Sequence, residues 1–89
     1  MITPDLSTRL ARAKFRAWHR GTREADYTIG CYFDTFHEGW DEAQLAWFER
    51  LLDAEDVDIL AWALGTAEAP AEFQGPQLEA LRKLDYVRI

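Results

Sequence analysis

Hydrophobic residues recur along most of the chain at spacings of three and four, which is the period of an α-helix and not of a strand. The clearest repeat has positions i, i+3, i+4 and i+7, occupied by Ile29, Tyr32, Phe33 and Phe36. No stretch shows the sustained alternation of a strand. The pattern predicts an all-α fold, a small five-helix bundle, as one domain over residues 1–89.

The first two predicted helices meet at a glycine. Thr3 as N-cap and Pro4 in the first helical position start the first helix, which runs to about Trp18. Gly21 is placed to end it, because glycine accepts the left-handed backbone of a helix C-cap. The second helix follows from residue 22 or 23 to Phe36.

Acidic residues start the next two helices. Asp41 and Gln44 have the spacing of a capping box, and the third helix runs from there to about Leu52. We expect Asp56 to cap a fourth helix, which spans Val57 to about Leu64 and is stopped by a glycine.

Pro76 starts the fifth predicted helix, because proline suits the first helical turn. Three leucines of this helix, Leu78, Leu81 and Leu84, are expected to face inward. Residues 85–89 form a short tail that we expect to be mobile at its end.

Four tryptophans are a large apolar content for so short a chain. Trp47 and Trp62 lie on helix faces and are expected in the core, whereas Trp18 and Trp40 lie at helix ends and are expected to be exposed.

Gly30 lies inside the second helix, where glycine costs about 1 kcal/mol relative to alanine. We therefore expect another backbone to pass close to it.

The charge of the chain is unevenly distributed. The net charge is −6, yet residues 1–24 hold six basic and two acidic residues, a balance of +4. The net negative charge of the chain argues against nucleic acid as the main partner, because phosphate binding needs clustered positive charge. The basic N-terminal part could instead attract an acidic surface of another protein. Arg9, Arg12 and Arg16 line one strip of the first helix, either as a solvated face or as the rim of a partner site.

Other features narrow the class of protein. The lone Cys31 excludes an internal disulfide and is expected to be a buried, inert thiol. No apolar run approaches the ~20 residues of a membrane span, and the N-terminus lacks a signal-peptide layout. We therefore expect a cytoplasmic protein that is not inserted in a membrane.

The sequence offers no convincing catalytic set. It has no phosphate-binding loop and no metal-ligand spacing. His19 and His37 are expected at the surface or as caps, without a nucleophile beside them. Glu55, Asp56 and Asp58 could do acid–base work, but such a cluster more often starts a helix and keeps a loop solvated. We therefore expect a binding module with no catalytic, metal or stable cofactor site, and not an enzyme.

Arg20, Gly21 and Glu24 form an R-G-x-x-E pattern within residues 18–26, which is followed by Ile29, Gly30 and Phe33. A second block, residues 51–62, has a leucine pair, an acidic turn and a tryptophan. Together the two blocks resemble the SdhE family, the FAD assembly factors of succinate dehydrogenase. The resemblance covers roughly residues 9–65.

The chain departs from the family pattern at three positions. Val57 stands where a proline is usual between two aspartates, Ala25 where a leucine follows the glutamate, and His19 where a second arginine is common. These departures lighten the packing behind the motif and lower its positive charge slightly, but they leave the motif itself intact.

The resemblance implies a function. Family members bind the flavoprotein subunit of succinate dehydrogenase, and of fumarate reductase in some bacteria, and promote covalent attachment of FAD to a histidine of that subunit. The flavin supplies the chemistry, and the assembly factor is expected to be a monomer when free and to hold no FAD stably. Carried over to this chain, the resemblance makes the motif residues Arg20, Gly21 and Glu24 the contact with the partner. Further contacts are expected by position only: Arg16, Arg23 and Asp56.

Two alternatives remain open from the sequence. One is a generic helical adaptor or an antitoxin-like partner with no role in flavinylation. The other is a nucleic-acid binder that uses the arginine strip, which would bind in a salt-sensitive way.

Overall fold

The computed structural model describes residues 5–88, and within this range it contains five α-helices and no strand. The all-α, five-helix prediction is therefore confirmed. Two short 3₁₀ helices, His37–Gly39 and Ala71–Phe73, lie in the connections. The helices are α1 (Leu6–Trp18), α2 (Arg23–Phe36), α3 (Glu42–Leu52), α4 (Asp56–Leu64) and α5 (Pro76–Lys83).

The start of α1 differs from the prediction. Asp5 has an extended backbone, and its carboxylate accepts the Thr8 N–H at 2.8 Å, so Asp5 is the N-cap. The predicted cap at Thr3 and Pro4 lies outside the described residues, and it is wrong as the helix start because the helix begins at Leu6. An aspartate is a better N-cap than a threonine, which accounts for the shift.

The capping box of α3 is confirmed. Asp41 Oδ1 accepts the Gln44 N–H at 2.8 Å, and Gln44 Oε1 accepts the Asp41 N–H at 2.8 Å. The predicted cap of α4 is wrong. Glu55 occupies the N-cap position without a side-chain bond, and Asp56 is the first helical residue. Its carboxylate is held by a side chain from another part of the fold, as described below.

Tyr32, on the buried face of α2, is the centre of an aromatic cluster. Its ring lies 5.1–6.3 Å, centroid to centroid, from five other rings, and its hydroxyl donates to the Gln77 carbonyl at 2.9 Å. Aromatic pairs of this kind add about 0.5–1.5 kcal/mol each beyond the area they bury. The five neighbours come from α2, α3, the connection between them and the tail: Phe36, Trp40, Trp47, Phe48 and Tyr86.

The burial of the four tryptophans differs in part from the prediction. Trp47 is buried and Trp62 is partly buried, in line with a core role. Trp40 was expected to be exposed, but it is partly buried because it packs on Phe48 at 4.9 Å between ring centroids. Trp18 is also partly buried, against α2.

The C-terminal tail packs against the core in the part that the structure describes, and the mobility expected at its end stays a prediction. Tyr86 is buried, and its hydroxyl donates to the Leu81 carbonyl at 2.8 Å. Val87 packs against the core. Leu84 does not belong to α5, because it is the C-cap, with a left-handed backbone at φ +57°. Ile89 lies outside the described residues.

Gly30 meets a side chain and not the backbone that was expected. The indole of Trp18 lies so close that a β-carbon on Gly30 would overlap three of its ring carbons. Glycine at this position lets the end of α1 lie directly on α2. The contact therefore fixes Trp18, and with it the turn that follows.

Gly30→Ala should lower the free energy of unfolding by about 1–3 kcal/mol, because the added methyl group must displace the Trp18 indole. Gly39→Ala is the matched control, since nothing lies within 4 Å of a β-carbon there. We expect the control to leave stability unchanged or slightly higher. Urea unfolding of both variants measures the difference, and equal stabilities would contradict the close contact.

Alkaline pH should weaken the fold through Tyr32 and Tyr86. Burial raises the pKa of both phenols well above the ordinary value near 10. A raised folded-state pKa favours the native state below the unfolded pKa and loses that advantage as the pH rises past it. Above about pH 10 the free energy of unfolding should fall by about 2–3 kcal/mol per pH unit, and by half that in Tyr86→Phe. Urea titrations between pH 9 and 11 measure both slopes, and a flat profile would contradict the burial of these hydroxyls.

Candidate functional site

The candidate site is the turn that joins α1 to α2, residues 19–22. His19 is the C-cap of α1, and Thr22 caps α2 by accepting the Ala25 N–H at 3.2 Å. Gly21 is thus not the C-cap that was predicted. It lies within the turn at φ +124°, a backbone conformation that side chains with a β-carbon rarely adopt.

Arg20 points into the molecule, although the resemblance makes it a contact with the partner. Its side chain is 10% exposed, and all three guanidinium nitrogens donate hydrogen bonds. Nε donates to Asp56 Oδ1 at 2.7 Å, Nη1 to the Leu52 carbonyl at 2.8 Å, and Nη2 to the Ala54 carbonyl at 2.9 Å. The backbone N–H of Arg20 donates to Asp26 Oδ1 at 2.6 Å.

These bonds tie the α1–α2 turn to the α3–α4 turn. We call this set of contacts, made by the Arg20 guanidinium with Asp56 and the carbonyls of Leu52 and Ala54, the Arg20 tie. Leu52 is the last residue of α3, where the helix dipole favours a cation, and Asp56 opens α4, where it favours an anion. Both charges therefore lie where the backbone stabilises them.

The rest of the motif is on the outside. Gly21, Arg23 and Glu24 are exposed, and within residues 5–88 neither charged side chain has an ion pair or a hydrogen bond. A β-carbon on Gly21 would lie 3.8 Å from Asp56 Oδ2, so the glycine backs onto the Arg20 tie. The motif thus divides into an internal arginine and an external edge of Gly21 and Glu24.

The arginine strip of α1 is neither a purely solvated face nor a free rim. Arg9 forms ion pairs with Glu42 and Glu49, each at 2.6 Å, and Arg16 forms one with Asp53 at 2.8 Å. The hydrogen bonds that Arg9 donates, to Glu49 first and then to Glu42, raise the pKa of Arg9 further above its already high value. Arg9 therefore joins α1 to α3, and Arg16 joins α1 to the C-cap of α3. Within residues 5–88, Arg12 is the one strip arginine without an ion pair.

An open hollow of about 670 Å³ lies beside the exposed edge of the motif. A smaller one, of about 270 Å³, lies between Glu24 on α2 and Val87 of the tail. The packed tail therefore forms one wall next to the motif, which the sequence did not suggest. The larger hollow is lined by Trp18, His19, Gly21, Thr22, Arg23, Asp26 and Tyr27.

Other candidate chemistry is dispersed. Among residues 5–88, no group of three His, Cys, Asp or Glu side chains is placed to hold a metal ion. In the acidic cluster, Asp56 is bonded to Arg20 while Glu55 and Asp58 are exposed. No helix in this part of the chain is long and apolar enough to cross a membrane.

Sequence reasoning missed the internal partners of Arg20. Asp26 stands six residues after it, but the turn geometry that brings the two together depends on Gly21. The carbonyls of Leu52 and Ala54 carry no sequence signal at all, because every residue has a carbonyl. The pairing with Asp56 had one available signal, an arginine and an acid in two separate blocks of the resemblance.

Arg20→Ala should lower the free energy of unfolding by about 2–4 kcal/mol, because it leaves a half-buried carboxylate and two carbonyls without their donor. Arg12→Ala, on the exposed face of α1, is the control and should stay within about 0.5 kcal/mol of wild type.

A double-mutant cycle of Arg20→Ala with Asp56→Ala should give a coupling of about 0.5–3 kcal/mol. Chemical denaturation of the two single variants, the double variant and wild type measures it. Additive losses, or an Arg20→Ala loss no larger than that of Arg12→Ala, would show that the Arg20 tie does not stabilise the fold.

Comparison with known proteins identifies the family. The family model described as flavinator of succinate dehydrogenase matches residues 11–85. The chain is 32% identical over 77 residues to the FAD assembly factor SdhE of Acetobacter pasteurianus, covering 86% of this chain and 71% of the relative. It is 32% identical over 80 residues to the mitochondrial succinate dehydrogenase assembly factor 2 of Cryptococcus neoformans, covering 89% of this chain and 46% of the relative.

A third relative is the mitochondrial succinate dehydrogenase assembly factor 2 of Drosophila virilis. It is 27% identical over 86 residues, covering 92% of this chain and 54% of the relative. The chain thus spans about half the length of these two eukaryotic relatives and most of the bacterial one. The match runs from the first helix into the tail. The chain belongs to the family of succinate dehydrogenase flavinators.

Proposed function

We propose that this protein is an assembly factor that binds the flavoprotein subunit of succinate dehydrogenase and promotes covalent attachment of FAD to it. The proposal rests chiefly on how the R-G-x-x-E motif is arranged in a chain of this family. Arg20 is fixed inside, while Gly21 and Glu24 are presented at the surface beside an open hollow. The flavoprotein subunit of fumarate reductase is a second client within the proposal.

The exposed edge suits contact with another protein. The Glu24 carboxylate is free to accept a charge-assisted hydrogen bond, which is stronger than a neutral one. Gly21 has no side chain, so a partner backbone can approach closely there. Arg23, the exposed cation next to them, complements an acidic group on the partner.

Arg16, Arg20 and Asp56 have a different role in this proposal. Each is already paired within the chain, Arg16 with Asp53 and Arg20 with Asp56. They contribute chiefly by holding the two turns together behind the exposed edge. Contact with the partner falls mainly to Gly21, Arg23 and Glu24.

The proposal assigns the bond-forming chemistry to the flavin and to a histidine of the client. This protein acts as a non-catalytic, cytoplasmic monomer that holds no FAD stably. Its contribution is to favour a client conformation in which the histidine and the flavin are aligned. Alignment of reacting groups lowers a barrier by up to about 7–11 kcal/mol.

Binding of nucleic acid is the weaker alternative. Of the six basic residues in the N-terminal part, Arg9, Arg16 and Arg20 are paired with carboxylates of the same chain. Their charge is not available to a phosphate backbone without breaking those pairs, and strong phosphate binding requires several free cations.

Glu24→Gln tests the proposal without disturbing the fold, because the side chain is exposed and has no partner within residues 5–88. Coexpressed with a flavoprotein subunit, this variant should cut covalent flavin, measured by in-gel fluorescence, to about a tenth or less, as for loss of one strong interface contact. Glu38→Gln, also an exposed glutamate, should support flavinylation at the wild-type level.

Two results would count against this function. Equal covalent flavin with and without the wild-type chain would remove the assignment. Recovery of an unrelated protein in pull-downs, with no flavoprotein subunit, would favour the generic adaptor. Thermal melting of both glutamate variants checks that any loss is not a loss of folded protein.

A further inference from the structure

Phe15 is a large aromatic side chain that lies mostly in solvent. It is 64% exposed, on the face of α1 that turns away from the core. Its ring stacks on His19, with centroids 4.0 Å apart and an interplanar angle of 17°. The stack favours this orientation of the phenyl ring.

The surroundings of Phe15 form one continuous surface. A hollow of about 340 Å³ is lined by Ala11, Lys14, Phe15, Trp18 and His19. Trp18 and His19 also line the hollow beside the exposed edge of the motif. The aromatic face of α1, which we define by these five residues, therefore runs without a break into Gly21 and Arg23.

The rim of this face is positively charged. Arg12 and Lys14 lie on either side of Phe15, since successive helical residues are turned by 100°. Within residues 5–88, Arg12, Lys14 and Arg23 are exposed and have no ion pair, whereas Arg9, Arg16 and Arg20 are neutralised by carboxylates. Lys14 lines the hollow at Phe15, Arg12 lies about one helical turn before Phe15, and Arg23 lines the adjoining hollow.

We propose that the aromatic face of α1 is the second half of the docking surface for the flavoprotein subunit, and that it seats an apolar side chain of the partner flanked by carboxylates. This inference rests on the proposed function. Two observations support it: the face is continuous with the exposed edge of the motif, and its unpaired cations complement an acidic rim.

A second copy of this chain is a poorer occupant. In a two-fold symmetric dimer the same patch meets itself, so the unpaired cations of one copy would face those of the other. Like charges brought together across an interface are unfavourable. A partner with the opposite charge removes this conflict.

Phe15→Ser tests the proposal, and Leu64→Ser is its matched control. The two side chains are almost equally exposed, at 64% and 65%, but Leu64 lies at the end of α4, outside the aromatic face. We expect Phe15→Ser to weaken binding to the purified flavoprotein subunit by about 5- to 30-fold, as for a central interface anchor. Leu64→Ser should bind within about twofold of wild type, and both should melt at the wild-type temperature.

The charged rim is tested by Lys14→Glu against Lys14→Arg. Charge reversal should weaken binding and flatten its dependence on salt, whereas the conservative change should keep both near wild type. Titration by calorimetry at two ionic strengths measures the affinities, and in-gel flavin fluorescence of coexpressed subunit should fall in the same order.

The outcomes separate this inference from the proposed function. Wild-type affinity in both Phe15→Ser and Lys14→Glu would overturn the docking face and leave the proposed function standing. Absence of binding by the wild-type chain would overturn both. A change in self-association of Phe15→Ser by light scattering, with intact client binding, would make the face a contact between copies and overturn the proposal.

Discussion

The contact on which the site depends is the Arg20 tie. A single guanidinium joins the α1–α2 turn to the α3–α4 turn through one carboxylate and two backbone carbonyls. Its donors satisfy the end of α3 and its charge neutralises the first residue of α4. An arginine suits this position because its rigid, planar guanidinium presents donors on three separate nitrogens, whereas all three donors of a lysine leave a single nitrogen. With Arg20 fixed, the next residues of the motif have one orientation.

Two other contacts also help to hold the α1–α2 turn in place. The indole of Trp18 lies on Gly30, so the end of α1 packs against α2 immediately before the turn. The backbone N–H of Arg20 is held by Asp26 from the first turn of α2. These contacts hold the α1–α2 turn on its inner side. Gly21 and Glu24 therefore face outward in the folded chain before any partner binds. A binding edge that is ordered beforehand loses less entropy on association.

Much of the fold followed from spacing alone, and the failures have physical reasons. The helices and the Asp41 capping box depend on residues close in sequence, so the sequence predicted them. The partner of Asp56 and the burial of Tyr86 depend on contacts between distant segments, which spacing does not encode. Asp56 had the features of an N-cap, and only the long-range contact with Arg20 shows why its carboxylate serves elsewhere.

The candidate site shows the same division. The motif was visible in the sequence, but the sequence treated Arg20, Gly21 and Glu24 as equal contacts. The structure separates them into an internal tie and an exposed edge. The exposure of Phe15 was also hidden, because a phenylalanine at helical spacing usually marks a core face. An exposed aromatic beside a binding motif is a feature that only the folded arrangement reveals.

We expect the flavoprotein subunit to dock on the exposed edge of the motif, which the Arg20 tie holds in place. Cross-saturation NMR on the deuterated, 89-residue chain bound to that subunit tests this most directly. Amide signals of residues 15–24 should lose intensity when the subunit is saturated, while those of residues 65–75 should not. Saturation confined to residues 65–75, with the motif unaffected, would contradict it.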